Sequence, residues 1–208
     1  MKCVFFRKTV LSLAFCALVM VAFLAPACAA EFREGDVIFH ASNSSQARAI
    51  ELATHSRYSH CGIVFRLGKE FYVYEAVGPV RFTPLKDWIA RGRGGNYALK
   101  RLKNADKVLT PSALAKLKAE AKKLKGKPYD LVFGWSDERI YCSELIYKVY
   151  YRALGLEAGK VRRLGDFDLT HSVVKEKLRE RYGENIPLDE PVVSPQDVFD
   201  SELFVTIT

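Results

Sequence analysis

Short β-type runs crowd the first half of this chain, and amphipathic helices follow them. After the turn Glu34-Gly35-Asp36, the apolar stretch Val37-Ile38-Phe39 predicts a short strand. The side chains from Ser42 to Gln46 suit a helix start, predicting a short helix over 46–54 with Ile50 and Ala53 on its buried side. Two β-type runs, 58–65 and 71–77, flank Leu67-Gly68-Lys69-Glu70, which reads as a hairpin loop, and a third run, 97–102, joins them. Thr110-Pro111 then sets a capping hydroxyl before a first-turn proline, and Leu114, Leu117, Ala121 and Leu124 recur at helical spacing until Gly126. A second helix starts near Cys142, carries Leu145, Ile146, Val149 and Ala153 on one face, and stops at Gly155. From 157 to 188 the pattern is charged and irregular, the least readable part of the chain. Strands gathered in one half and helices in the other give an α+β fold class, an antiparallel sheet packed against helices.

The first thirty residues stand apart from this pattern. Lys2, Arg7 and Lys8 precede an apolar run from Val10 to Leu24, which ends in small residues from Ala25 to Ala30. This order is that of a secretory signal peptide, and the run is shorter than the roughly 20 residues a membrane span needs. The expectation is an exported, periplasmic protein, with residues 1–30 as leader and 31–208 as one domain. Cleavage next to Cys28 offers an alternative, a membrane-anchored lipoprotein; otherwise membrane contact is peripheral.

Charge narrows the partners. The formal net charge is +8, and removing the three leader cations leaves about +5. Lys and Arg are interspersed with acids, which reads as a solvated basic surface and argues against a nucleic-acid partner. Attraction to anionic wall polymer or lipid headgroups remains open. Of the five cysteines, Cys3, Cys16 and Cys28 lie in the leader, which leaves Cys61 and Cys142. In an oxidising compartment those two can simply form a disulfide.

The chemical alternative centres on Cys142. In Tyr141-Cys142-Ser143-Glu144-Leu145 it occupies the first turn of a helix, where free N–H groups and the helix dipole stabilise a thiolate; without a base, it reads as a small buried hydrophobe. His60, in the β-type run Ser59-His60-Cys61-Gly62-Ile63-Val64, is the candidate base. A hairpin turning between Gly68 and Lys69 pairs Gly62 with Glu75 and His60 with Val77. Glu75 then lies diagonal to His60 across a glycine on the same face, able to orient the imidazole. The same parity sends Cys61 to the opposite face, so a Cys61–Cys142 disulfide and a His60–Cys142 dyad compete. His40, His55 and His171 show no metal-ligand spacing, so neither metal nor cofactor is expected.

Gly126-Lys127-Pro128-Tyr129, followed by Cys142-Ser143-Glu144-Leu145, resembles the nucleophile region of NlpC-like cell-wall cysteine peptidases, a branch of the papain-like fold. Because His60 precedes Cys142, the chain resembles the circularly permuted branch, and most closely the YiiX-like group. Gly35-Asp36-Val37-Ile38, Tyr58-Ser59-His60-Cys61-Gly62-Ile63-Val64, Tyr74-Glu75-Ala76, Pro128-Tyr129-Asp130 and Ser194-Pro195 fit that group in order. Cys61 departs from it, since an aliphatic residue is more usual there. The resemblance implies a permuted papain-like fold with Cys142 as nucleophile, His60 as base and Glu75 as its orienter. It also implies Tyr129 near the oxyanion position, with Tyr141 and Ser143 beside it in the substrate or oxyanion site.

Three functions follow for test. The first is an acyl-transfer amidase or peptidase acting on peptide, with cell-wall peptide as one case. The second is a lipid thioesterase or acyltransferase using the same dyad on a lipid-derived acyl chain. The third is a non-catalytic envelope binding module with structural cysteines. Tyr58, Tyr74, Phe82 and Trp135 are expected to supply aromatic walls to a substrate pocket. Oligomeric state is not legible in the sequence.

Overall fold

A computed structural model describes residues 31–207, so the leader expected over 1–30 lies outside the described residues. The elements are β1 (Val37–His40), α1 (Ser45–Thr54), β2 (His60–Leu67), β3 (Glu70–Glu75), β4 (Arg81–Pro84), α2 (Leu85–Arg91), β5 (Ala98–Leu102), α3 (Ala105–Val108), α4 (Pro111–Leu124), α5 (Cys142–Leu154), β6 (Arg162–Arg163), α6 (Ser172–Tyr182), β7 (Pro191–Val192), α7 (Pro195–Phe199) and β8 (Phe204–Thr206). The main sheet runs β4-β3-β2-β1-β5-β8 with antiparallel neighbours, and β6 pairs with β7 in a separate small ladder. This is the expected α+β permuted papain-like architecture.

The β2–β3 hairpin turns where its sequence predicts. Leu67 pairs with Glu70 and Ile63 with Tyr74, so the loop is Gly68-Lys69, with Gly68 at φ 64° in the left-handed region that glycine tolerates. Alternation along the hairpin then sorts side chains onto two faces. Cys61, Ile63, Phe65 and Tyr74 pack with Leu117 and Ala121 of α4 and Leu145, Ile146 and Val149 of α5. On the other face Val64 and Val73 join Ile38, Leu99 and Trp88 of α2. Both sides of the sheet are therefore covered. The two long helices follow their caps: Thr110 Oγ1 accepts from the N–H of Ala113 at 3.3 Å, and Gly155 closes α5 at φ 70°. Leu145, Ile146 and Val149 are fully buried, and each such burial stabilises by about 1.5–3 kcal/mol.

Two helices differ from expectation. In α1 the buried residues are Ala47, Ala49 and Glu51, while Ile50 and Ala53 are only half-buried. The reason is that α1 faces a cavity, which Ala49, Ile50 and Ala53 all line. The stretch 157–188 contains α6, stabilised by His171, whose Nδ1 accepts from the N–H of Val173 at 3.1 Å. Only Val174 and Leu178 of this charged helix are buried, too narrow a stripe to show as amphipathic periodicity. No helix among the described residues is long and apolar enough to cross a membrane.

Candidate active site

Cys142 opens α5. The side chain of Tyr141 does not cap the helix, because its hydroxyl accepts from the N–H of Val193 at 3.1 Å. Glu144 instead folds back to accept from the N–H of Tyr141 at 3.3 Å, and Lys148 pairs with it at 2.7 Å. Burial nonetheless raises the Glu144 pKa to about 7. The first-turn N–H groups of Cys142 and Ser143 have no intrahelical acceptors, which leaves them to stabilise negative charge beside the thiol.

His60 begins β2, and its Nε2 lies 2.6 Å from Glu75 Oε2. This is the diagonal contact predicted from the hairpin register. Gly62 makes room for it: a Cβ there would stand 2.4 Å from Val73 Cγ1 and 2.9 Å from the carbonyl oxygen of Tyr74. Glu75 is fully buried and also accepts from Thr83 Oγ1 at 2.5 Å, from Trp88 Nε1 at 2.9 Å and from the guanidinium of Arg91. Burial pushes its pKa up, but the bonds from His60 and Thr83 and the charge of Arg91 outweigh this and hold it at about 2. Desolvation likewise works against a charged His60; contact with Cys142 and Glu75 reverses that and raises its pKa to about 9.

Cys61 requires a correction. Strand parity places it opposite Glu75, as expected, but that opposite face is the one α5 packs against. The thiol of Cys61 therefore reaches Cys142, while His60 reaches the same sulfur where the strand begins. Cys61 thus does not face away from Cys142 as parity suggested, yet no disulfide joins the two, and both cysteines are free buried thiols. Hydrogen bonding from the Cys61 side chain, opposed by burial and assisted by His60, lowers the pKa of Cys142 well below the usual thiol value. Burial and the neighbouring Cys142 push the Cys61 thiol well up.

Cys142 lines one recess, and its partner His60 lines another. One is a narrow, almost wholly apolar cavity of about 90 Å³, walled by Ile50 and Ala53 of α1, Phe133, Phe167, and Val174 and Leu178 of α6. The other is a polar cleft of about 400 Å³ that contains His60 with His40, Ser42, Ser59 and Arg91. Tyr129 lines both, and Tyr141 and Ser143 reach the apolar one. Ser143, however, spends its hydroxyl on the carbonyl of Val193 at 2.8 Å, so it and Tyr141 tie the β7–α7 connection behind Cys142. The expected aromatic walls are placed elsewhere. Tyr58 packs on Phe39 and Phe199, Tyr74 on Phe82, and Trp135 on Tyr147, and none of Tyr58, Tyr74, Phe82 and Trp135 lines either recess.

Sequence reasoning missed Thr83, Trp88 and Arg91 around Glu75, and Gln46 and Arg181 beside Tyr129. A buried carboxylate inside a strand signals that several donors must converge on it, but not from where. His40 stacks on Trp88 at 4.0 Å between ring centroids, and burial with the nearby charges of His60 and Arg91 lowers its pKa to about 3, so it is a neutral ring behind His60. Among the described residues no group of three or more His, Cys, Asp or Glu is arranged to hold a metal.

A papain-like sheet and helix pair, with its histidine strand preceding its cysteine helix, defines a permuted papain-like cysteine hydrolase. The chain belongs to the family described as permuted papain-like amidase enzymes, YaeF/YiiX, whose model matches residues 31–208. It is 50% identical over 182 residues to the uncharacterized protein YiiX of Escherichia coli, covering 88% of this chain and 89% of that one. A crystal structure titled as the metalloprotein YiiX from Escherichia coli is 51% identical, with a TM-score of 0.81, covering 85% of this chain and 96% of that one.

Proposed function

We propose that this amidase-type hydrolase is exported and cleaves a carbonyl substrate whose acyl side is apolar, by a Cys-His-Glu acyl-transfer mechanism. The observation that carries this reading is that Cys142 lines the apolar cavity while His60, its partner, lines the separate polar cleft. The Cys142 thiolate attacks the carbonyl, and the N–H groups of the α5 first turn stabilise the oxyanion. His60, held by Glu75, protonates the leaving group, and water then hydrolyses the thioester. The acyl side enters the cavity, and the leaving group occupies the cleft. A lipid-derived acyl chain fits this division best. The polar lining of the cleft, with Ser42, Ser59 and Arg91, favours as second reading a cell-wall or other peptide. The metalloprotein title of the solved relative has no counterpart in a gathered set of ligands among the described residues, and no step is routed through a metal.

The test uses p-nitrophenyl octanoate and p-nitrophenyl acetate with wild-type and Cys142→Ser protein, reading p-nitrophenolate release and the acyl adduct by mass spectrometry. Octanoyl transfer to Cys142 should be the faster, and the Ser variant should lose turnover while remaining folded. Equal rates on the two esters would remove the acyl-cavity part of the reading. Release unaffected by Cys142→Ser would remove the nucleophile.

A further inference from the structure

The charged helix α6 sends one residue back toward the nucleophile. Arg181 donates from its guanidinium to Gln46 Oε1 at 3.0 Å and to the carbonyl of Leu131, and it lies over the ring of Phe133 at 5.4 Å. Gln46, at the start of α1, donates from Nε2 to the hydroxyl oxygen of Tyr129 at 3.0 Å. The polarity of this chain of bonds has only one solution. A guanidinium carries donors and no acceptor, so the oxygen of the Gln46 amide must face Arg181. The amide NH2 must then face Tyr129, whose oxygen is committed there as an acceptor. The single phenolic proton is thereby directed away from Gln46. Tyr129 shares the wall of the apolar cavity with Cys142, and burial together with the charge of Cys142 keeps the phenol protonated.

We propose that Gln46 and Arg181 are positioning residues that aim the Tyr129 O–H at the carbonyl oxygen attacked by Cys142. This rests on the acyl-transfer reading above. As the C–S bond forms, the carbonyl π pair moves onto oxygen, and Tyr129 stabilises that oxyanion by hydrogen bonding without giving up its proton. The pair returns when the thioester forms and the leaving group departs with a proton from His60. The polar link between α1 and α6 is thus a device for orienting one hydroxyl, which a packing role alone does not require.

Gln46→Glu separates the two roles. The carboxylate keeps the size of the side chain and strengthens the pairing with Arg181, but it offers no N–H, so the Tyr129 proton turns toward it. With p-nitrophenyl octanoate, kcat should fall about 100- to 1,000-fold at little change in KM, as for loss of one oxyanion donor. The unfolding temperature should not fall. Tyr129→Phe should lose a similar factor, and the double variant should lose no more than either single one. Arg181→Lys, which keeps a donor to Gln46, should retain most of kcat, whereas Arg181→Met should not. To separate this from a changed thiol pKa, kcat is compared at a pH where iodoacetamide labelling shows Cys142 fully ionised in every variant. Wild-type kcat in Gln46→Glu, or losses that multiply in the double variant, would overturn the proposal. If even the wild-type protein shows no Cys142-dependent release, the acyl-transfer reading falls and the proposal falls with it.

Discussion

Glu75→Gln is the substitution whose outcome the structure constrains most tightly. The carboxylate is fully buried and accepts from His60 Nε2, Thr83 Oγ1, Trp88 Nε1 and Arg91, with Oε2 serving His60 and Trp88 and Oε1 serving Thr83 and Arg91. Every partner is a donor, so a glutamine must aim its NH2 at one of the two pairs. Facing Thr83 and Arg91, it sets N–H against a guanidinium that cannot accept. Facing His60 and Trp88, it opposes the indole N–H and forces His60 Nε2 to become an acceptor. The imidazole proton then moves to Nδ1, so a neutral His60 no longer has its bare nitrogen available on the side away from Glu75. Arg91 also loses its anion. Breaking a buried charge pair of this kind costs about 3–5 kcal/mol, and partial exposure of Arg91 brings the expected loss to roughly 2–4 kcal/mol. Wrong-tautomer histidine in a triad costs up to about 10⁴-fold in turnover, so a fall of about 10²- to 10⁴-fold is expected, with residual activity from the remaining donors. The assay pairs p-nitrophenyl octanoate turnover with thermal unfolding at pH 7. Turnover at the wild-type rate would refute the assignment of Glu75 as orienter. Unchanged stability would refute the accounting of its four donors.

Stability should also depend on acid through the same group. The folded pKa of Glu75, about 2, lies below its ordinary value of 4.5, so its contribution is present above about pH 4.5 and is lost as pH falls toward 2. Unfolding temperatures measured from pH 5 to pH 2.5 should therefore drop more steeply in the wild type than in Glu75→Gln, and parallel curves would contradict this. His60 has the opposite sign: its folded pKa, about 9, is raised from 6.5, so its contribution is complete below pH 6.5 and fades as pH rises through 9. Iodoacetamide at mildly acidic pH should label Cys142 and spare Cys61; His60→Ala and Cys61→Ala should each slow that labelling, since each removes a group that stabilises the thiolate. Equal labelling of the two thiols, or a Cys61–Cys142 disulfide in protein isolated without reductant, would count against an activated nucleophile. Export predicts an intact mass starting between Cys28 and Glu31 in envelope fractions, with a diacylglycerol adduct on Cys28 marking the lipoprotein alternative; a protein still carrying Met1 would rule out leader removal.

Local chemistry determined a good deal of this protein. The loop Gly68-Lys69 and the alternation around it set the β2–β3 register, and with it the meeting of His60 and Glu75 across Gly62. Thr110-Pro111 and Gly155 marked helix boundaries, because caps act through neighbouring backbone groups. Cys142 at the first turn of α5 was legible for the same reason. Parity, however, says which residues share a face and not which face a later helix will cover, so the contact of Cys61 with Cys142 had to come from the packing of α5 on the sheet. The donors that surround Glu75 arrive from β4 and α2, and only the folded sheet edge brings them together. Arg181 reaches Gln46 across 135 residues of chain, from a helix with just two buried residues. The apolar cavity is decided at the same level: half-buried Ile50 and Ala53 become its wall only because α6 closes over α1, and burial of that kind is a property of two surfaces meeting.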